Sequence, residues 1–107
     1  MPSVGESAAR QLSFGRRFEQ DLERVEAWYL TTADEQAADD AVDAILAQAE
    51  KIARLGLHFR PGYKNTRECP LPRHPLLLIY RIEPRKVRML RVINTRGAYL
   101  NERARKV

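Results

Sequence analysis

The chain has 107 residues, 44% of them hydrophobic, which suits one globular domain with a modest core and is too short for two. Its apolar runs are far too short for a membrane span or a secretory signal, and its single cysteine, Cys69, excludes an internal disulfide and a cysteine-based metal site. The net charge of +5 is unevenly divided: residues 1–55 hold eleven acids and six bases, and residues 56–107 hold three acids and thirteen bases.

The first half of the chain is predicted to be mainly helical. A short strand is expected at Arg10 to Phe14, and Ser13 would cap the helix that follows. From about Arg16 to Thr31, apolar residues recur at helical spacing and predict one buried stripe. The stripe consists of Phe18, Leu22, Val25, Trp28 and Tyr29.

A second helix is predicted to begin at Thr32-Ala-Asp-Glu35, which has the spacing of a capping box, and to end at about Leu55. Gly56 is the expected C-cap, because glycine readily adopts the left-handed conformation that ends many helices. Since only a few residues join the two helices, they must form an antiparallel hairpin.

After Gly56 the pattern changes from helix to strand. Arg60-Pro-Gly-Tyr63 predicts a turn, and Thr66 to Leu71 predicts a strand. Leu76 to Ile82, apolar on both faces, is expected at the centre of the sheet, and Glu83 to Lys86 connects it to a partner strand at Val87 to Ile93. The predicted fold class is α+β, an antiparallel sheet with an N-terminal α-helical hairpin packed on one face, in the order β-α-α-β-β-β.

No phosphate-binding glycine loop, metal-ligand spacing or serine-hydrolase elbow occurs in the sequence, so we expect neither a metal nor a cofactor. The second half instead offers bases and one terminal aromatic residue. These are Arg60, Lys64, Arg67, Arg73, Arg81, Arg88, Arg91, Arg96 and Tyr99. Arginine forks bind phosphates or carboxylates, so the charge division indicates a nucleic-acid or acidic protein partner, against the simpler alternative of an arginine-rich solvated surface.

Strand geometry predicts on which face of the sheet some of these basic residues lie. Arg88 and Arg91 lie three positions apart on one strand and therefore face opposite ways. Arg81 shares its face with Leu77 and Ile79, where an arginine is unusual and must be either paired or functional. We favour Arg67, Arg81 and Arg96 as a functional group.

Four segments together resemble the ParE/RelE superfamily of bacterial type II toxin–antitoxin modules, with the same element order over roughly Leu12 to Arg96. They are the helix Phe18 to Tyr29 with its Asp21-Leu22 pair, the turn Arg60-Pro-Gly62, the stretch Thr66 to Ile82 (TRECPLPRHPLLLIYRI) and the strand Val87 to Ile93 (VRMLRVI). The long hairpin and the proline-bounded turn resemble the ParE-like branch more closely, although Asn94-Thr95-Arg96 stands where that branch often has histidine and glycine.

The resemblance implies a single toxin domain over residues 1–107, with its core at about 10–100. It also implies that the protein inhibits DNA gyrase without catalysis and is neutralised by a ParD-like or other cognate antitoxin. The short apolar runs already predict a cytoplasmic protein that associates with no membrane. Target-binding residues would be Arg60, Lys64, Arg67, Arg73, Arg96 and Tyr99, and antitoxin-binding residues Trp28, Tyr29, Leu78, Tyr80 and Arg81.

Two alternatives stay open. In the first, the protein is a RelE-like, metal-independent ribonuclease that cuts messenger RNA on the ribosome. Arg81 and Arg96 would then stabilise the phosphate, and Tyr99 would stack on a base or transfer a proton. In the second, it is a nontoxic family member that only binds an antitoxin-like partner.

Overall fold

A computed structural model describes residues 9–96 and shows two helices beside a five-stranded sheet. In chain order the elements are β1 (Gln11–Phe14), α1 (Arg16–Thr32), α2 (Glu35–Leu55), β2 (Arg60–Pro61), a 3-10 turn (Tyr63–Asn65), β3 (Arg67–Pro70), β4 (Leu76–Ile82) and β5 (Lys86–Asn94). The predicted α+β class with its helical hairpin is confirmed. No helix in this part of the chain is long and apolar enough to cross a membrane.

The sheet has the strand order β1-β5-β4-β3-β2 and is mixed rather than purely antiparallel. Strand β1 runs parallel to β5, with Leu12 opposite Val87, whereas the other strand pairs are antiparallel. The parallel pairing lets Leu12 pack against the core beside Val87, and the backbone N–H of Gly15 donates to the Met89 carbonyl at 2.8 Å. The predicted turn at Arg60 also contributes a short edge strand, β2.

Both helices bury their apolar stripes against one face of the sheet. Phe18 from α1 and Ile45 and Ile52 from α2 are fully buried there. They pack on alternate strand residues, namely Leu76, Leu78, Tyr80, Val87, Met89 and Val92. Other strand residues face the opposite side of the sheet, where Leu77, Ile79 and Ile93 form a second, smaller buried cluster.

The helix ends differ from two predictions. Thr32 belongs to α1, because its hydroxyl donates to the Trp28 carbonyl of its own helix at 2.8 Å, and Asp34 takes the N-cap of α2 by accepting from the Ala37 N–H at 2.8 Å. Ser13 does not cap α1; Gly15 is its N-cap and has no side chain for this purpose. Gly56 caps α2 in the left-handed conformation, as predicted.

An irregularity in β5 positions the site described below. Ile79 pairs with Arg91 and Tyr80 with Met89, so Leu90 is left without a partner in β4. A bulge of this kind shifts the alternation of side chains by one residue. As a result, Met89 and Val92 both face the helices although they lie three positions apart.

Candidate partner-binding site

A cleft of about 300 Å³ lies between the second half of α1 and the C-terminal end of β5. Most of its wall is apolar, with charged groups at its floor and rim. The lining residues are Asp21, Arg24, Val25, Trp28 and Tyr29 from α1, Leu76 from β4, and Arg91, Val92, Ile93 and Asn94 from β5. A concave apolar surface with a few oriented polar groups is the usual form of a binding site.

Helix α1 supplies one wall because its apolar stripe extends beyond the sheet it covers. Val25 is buried, but Trp28 and Tyr29, one turn further on, stay half-buried. Their rings meet edge to face with centroids 4.8 Å apart. The Tyr29 ring also meets the His74 ring edge to face, with centroids 5.8 Å apart. These contacts hold two large aromatic side chains in place at the opening of the cleft, which favours binding because little side-chain freedom is left to lose.

The floor of the cleft is a buried ion pair. Asp21 accepts from Nε of Arg91 at 2.6 Å and from its Nη2 at 3.1 Å. It also accepts from the backbone N–H of Val92 at 3.1 Å. Asp21 and Arg91 are almost fully buried, so this bidentate ion pair links α1 directly to the irregular part of β5. Arg91 is therefore a structural residue of the cleft and not part of a basic surface.

The rim of the cleft is positively charged. The Arg24 side chain is 73% exposed and only loosely held, with Nη1 3.4 Å from Asp21. Partial burial raises the pKa of the Tyr29 hydroxyl, and the positive charge of nearby Arg96 opposes this shift. The cleft thus combines an apolar interior with cations at its edge, which suits a segment that carries apolar side chains and carboxylates.

The predicted target-binding bases do not all lie together: Arg60, Lys64 and Arg67 belong to the β2–β3 hairpin, whereas Arg73 and Arg96 lie toward the Leu76–Asn94 end of the strands. Arg60 is paired with Glu68 at 3.1 Å on the β2–β3 edge, and Arg67 donates to the Phe59 carbonyl at 3.2 Å. Lys64 lies over the Tyr63 ring, and Arg73 is exposed in the turn between β3 and β4. Arg96 follows β5, and Tyr99 lies outside the described residues.

The group Arg67, Arg81 and Arg96 is not brought together either. Arg67 pairs with Tyr80 on the side of the sheet that faces the helices, whereas Arg81 lies on the opposite side. Arg81 pairs with Arg88 near one end of β5, and Arg96 follows the other end, beyond the Leu76–Asn94 pair. Leu76 and Arg81 are five steps apart on β4, which places Arg81 about 17 Å along the strand direction from the Leu76–Asn94 pair that Arg96 follows.

Of the predicted antitoxin-binding set, only Trp28 and Tyr29 line the cleft. Leu78 and Tyr80 are fully buried in the core and have no surface to offer a partner. The Tyr80 hydroxyl donates to the Leu57 carbonyl at 2.7 Å and accepts from the Phe59 N–H at 3.0 Å, so it anchors the segment after α2. Arg81 lies away from the cleft.

Sequence reasoning missed the Asp21–Arg91 pair. Asp21 was visible as part of a helical motif, and it falls on the buried face one turn before Val25. A carboxylate within an apolar stripe is costly unless it is paired, so this position was the available signal. No group of His, Cys, Asp and Glu suited to a metal ion occurs among residues 9–96.

Comparisons of the sequence and of the fold with known proteins all give matches to toxins or toxin–antitoxin systems. The family model for the ParE toxin of the type II toxin–antitoxin system parDE matches residues 12–99. Toxin RelE3 of Caulobacter vibrioides is 33% identical over 85 residues, which make up 78% of this chain and 91% of that protein. A solved structure of the chromosomal ParDE system from P. aeruginosa shares the fold, with a TM-score of 0.73 at 20% identity, covering 82% of this chain and 98% of the other.

Proposed function

Because the chain belongs to the ParE toxin family of type II toxin–antitoxin systems, we propose that it inhibits DNA gyrase by binding and that an antitoxin holds it inactive. The family match supports the role of toxin. The choice of gyrase as target rests on the ParE-like features of the sequence and on the separation of the bases that a nuclease would need.

The separation of Arg81 from Arg96 carries the preference for binding over catalysis. The backbone of Arg81 lies about 17 Å along the strands from the end of β5 that Arg96 follows, which does not favour convergence on one phosphate, because hydrogen-bonded donors must lie within about 3 Å of the same reacting group. Burial also raises the pKa values of Tyr29 and Tyr80, so neither hydroxyl is tuned to act as a base near neutral pH. These features favour an inhibitor that acts through its surface.

A gyrase supercoiling assay tests this proposal. Purified toxin added to gyrase, ATP and relaxed plasmid is expected to lower the yield of supercoiled DNA in proportion to its concentration. A parallel translation reaction with a defined messenger RNA is expected to show no new cleavage. Normal supercoiling together with cleavage of the messenger RNA at codon positions would establish the ribonuclease alternative instead. This alternative is tested because the chain is similar to a toxin named RelE3.

The cleft between α1 and β5 is the proposed antitoxin site. Trp28 and Tyr29 supply large aromatic surfaces, and such residues dominate the energy of protein interfaces. The cationic rim formed by Arg24 and Arg96 would attract carboxylates of the antitoxin. An amphipathic antitoxin segment that becomes ordered as it binds would satisfy both features.

Substitution of Trp28 tests this assignment against a matched change on the same helix. Trp28→Ala is expected to weaken binding of the antitoxin encoded beside the toxin gene by about 30-fold, the loss typical of an interface hot spot. Leu30→Ala is the control, since Leu30 is 50% exposed on α1 and does not line the cleft. Calorimetric titration gives both affinities; equal values for the two variants would move the antitoxin site elsewhere.

A further inference from the structure

Two arginines stand directly opposite each other on the sheet face that turns away from the helices. Arg81 of β4 pairs with Arg88 of β5, and both side chains are half-buried. Like charges at directly opposed positions of an antiparallel pair repel each other and destabilise the sheet. A pair of this kind therefore needs an explanation.

Neither guanidinium has a carboxylate partner among residues 9–96. Elsewhere in this range Arg24, Arg60, Lys86 and Arg91 all form ion pairs. Arg81 makes one hydrogen bond, from Nη2 to the Lys64 carbonyl at 3.3 Å. Arg88 makes none with the described residues, and its Nε is shielded from solvent without an acceptor. Buried donors are almost always satisfied, so an unpaired Nε at this position is unusual.

The surroundings of the two arginines favour a carboxylate. Leu77 and Ile79 precede Arg81 on the same face of β4 and are buried, which makes the edge of the site apolar and strengthens a charge-assisted hydrogen bond there. On this face β4 and β5 present aliphatic and basic side chains and no aromatic one, so these two strands offer no ring on which a nucleobase could stack. A protein carboxylate on an otherwise apolar segment fits this environment better than a nucleic acid.

We propose that Arg81 and Arg88 form a second anchor for the antitoxin, a two-arginine site that receives one of its acidic side chains on the sheet face opposite the helices. The proposal rests on the proposed function, because that function supplies the partner. An antitoxin segment bound at the cleft would then be held on both faces of the sheet. The repulsion between the arginines in the free toxin would be relieved when the carboxylate arrives.

The nuclear magnetic resonance signal of the arginine Nε–Hε groups gives a direct test. The probe is the peptide Leu-Glu-Leu-Glu-Leu, and its counterpart with glutamine in place of glutamate is the control. The glutamate peptide is expected to shift the Arg88 Nε–Hε signal in a saturable way, and the signal is assigned by its loss in Arg88→Gln. No shift, an equal shift with the glutamine peptide, or a shift only with single-stranded RNA would overturn the proposal.

Stability of the free toxin supplies an independent readout. Arg88→Gln is expected to raise the melting temperature by a few degrees, because it removes both the repulsion and the unpaired Nε; a residue with only a structural role would lower it. Arg85→Gln, an equal charge change at an exposed turn position, is the control and should leave the temperature nearly unchanged. Glu6 and Glu102, the acidic residues outside the described range, are rival partners within the chain. A drop in melting temperature with Glu6→Gln or Glu102→Gln would favour an internal partner and overturn the proposal.

Binding to the antitoxin separates this inference from the function on which it rests. Arg88→Gln is expected to weaken antitoxin binding at least about tenfold, a loss typical of a charged anchor, and Arg85→Gln should bind like the parent toxin. A toxin that binds its antitoxin through Arg88 but leaves gyrase active would contradict the target and not this site. A toxin that inhibits gyrase and binds its antitoxin equally well with and without Arg88 would contradict only the site.

Discussion

At the scale of single residues, Asp21 is the side chain that links α1 to β5. Its carboxylate accepts three hydrogen bonds from Arg91 and the Val92 backbone, and nearly all of its surface is buried. Removal of one member of a buried pair leaves the other charge without compensation, which costs more than the pair itself contributes.

We therefore expect Asp21→Ala to lower the free energy of unfolding by about 3–5 kcal/mol. Glu23→Ala, an exposed carboxylate on the same helix, should change it by less than about 0.5 kcal/mol. Urea unfolding followed by circular dichroism measures both. If the two variants unfold at the same urea concentration, the pair does not hold α1 to β5. The double variant Asp21→Leu, Arg91→Met is expected to recover much of the loss, since apolar replacements leave no buried charge.

Two groups in the buried core, Cys69 and Tyr80, contribute to the response to alkaline pH. Burial raises the pKa of the Cys69 thiol, against smaller opposing effects of the Gln48 hydrogen bond and the Arg60 charge. Burial likewise raises the pKa of the Tyr80 hydroxyl, against the hydrogen bond from Phe59. Both groups therefore release their protons at higher pH in the folded than in the unfolded chain.

It follows that their stabilising contribution is complete well below about pH 8.5, where an unfolded thiol is half ionised, and falls as the pH rises through that value. The urea midpoint should be constant between about pH 7 and 8 and decrease above pH 8.5. Cys69→Ala is expected to shift the onset of this decrease toward about pH 10, where tyrosine ionises. An onset that Cys69→Ala leaves unchanged would show that another group governs it.

At the scale of elements, the helical hairpin followed from the sequence because its determinants are local. Helical spacing, an acidic start and a glycine stop lie within a few residues of the structure they specify. The sheet was less predictable. The parallel pairing of β1 joins residues that are far apart in the chain. The bulge at Leu90 shifts the alternation of side chains within β5, and its position depends on how β5 pairs with β4.

The candidate site was predictable to the same limited extent. Trp28 and Tyr29 were recognised because they end a helical stripe. Leu78 and Tyr80 were placed in the same set, since a central strand gives no sign of which apolar face is covered. Odd spacing predicts that Arg88 and Arg91 face opposite sides, but this prediction is wrong, because the bulge at Leu90 shifts the alternation: Arg88 pairs with Arg81 and Arg91 with Ile79, both on the face turned away from the helices. The carboxylate that pairs with Arg91 lies on α1, which strand geometry does not reveal.

The end of α2 offers a test at this scale. Gly56 has φ 64° and ψ 41°, a left-handed conformation that glycine adopts without steric cost. Gly56→Ala is expected to lower the free energy of unfolding by about 1 kcal/mol, and Gly56→Asn by less, because asparagine tolerates this conformation better. Thermal unfolding ranks the three proteins. If alanine and asparagine are equally costly, then space around residue 56 and not its backbone conformation sets the cost.

For the whole molecule, the division of charge now has a structural meaning. The acidic residues of the first half lie largely on the outer surfaces of α1 and α2, and the basic residues lie on the strands, on their connections and at the rim of the cleft. Long-range attraction between such a surface and an acidic partner speeds association and is screened by salt.

We expect the association rate with the antitoxin to fall several-fold when ionic strength rises from about 0.05 M to 0.5 M. The dissociation rate should change much less, because it depends on apolar contacts such as those of Trp28. Stopped-flow measurements separate the two rates, and Trp28→Ala should have the opposite signature, with faster dissociation and an unchanged salt dependence of association. Association rates that are independent of salt would remove the charge division from the binding mechanism.

The parallel pairing of β1 with β5 also determines when the folded sheet can form during translation. Gln11 to Phe14 are translated before both helices, yet their partners, Lys86 to Met89, belong to the last described element of the chain. The cleft has the same property, since one wall is α1 and the other is the end of β5. A nascent chain can form its helical hairpin first, but neither sheet nor cleft is complete until β5 has left the ribosome. Harmful activity is thereby postponed to the moment at which the surface proposed to bind the antitoxin also appears.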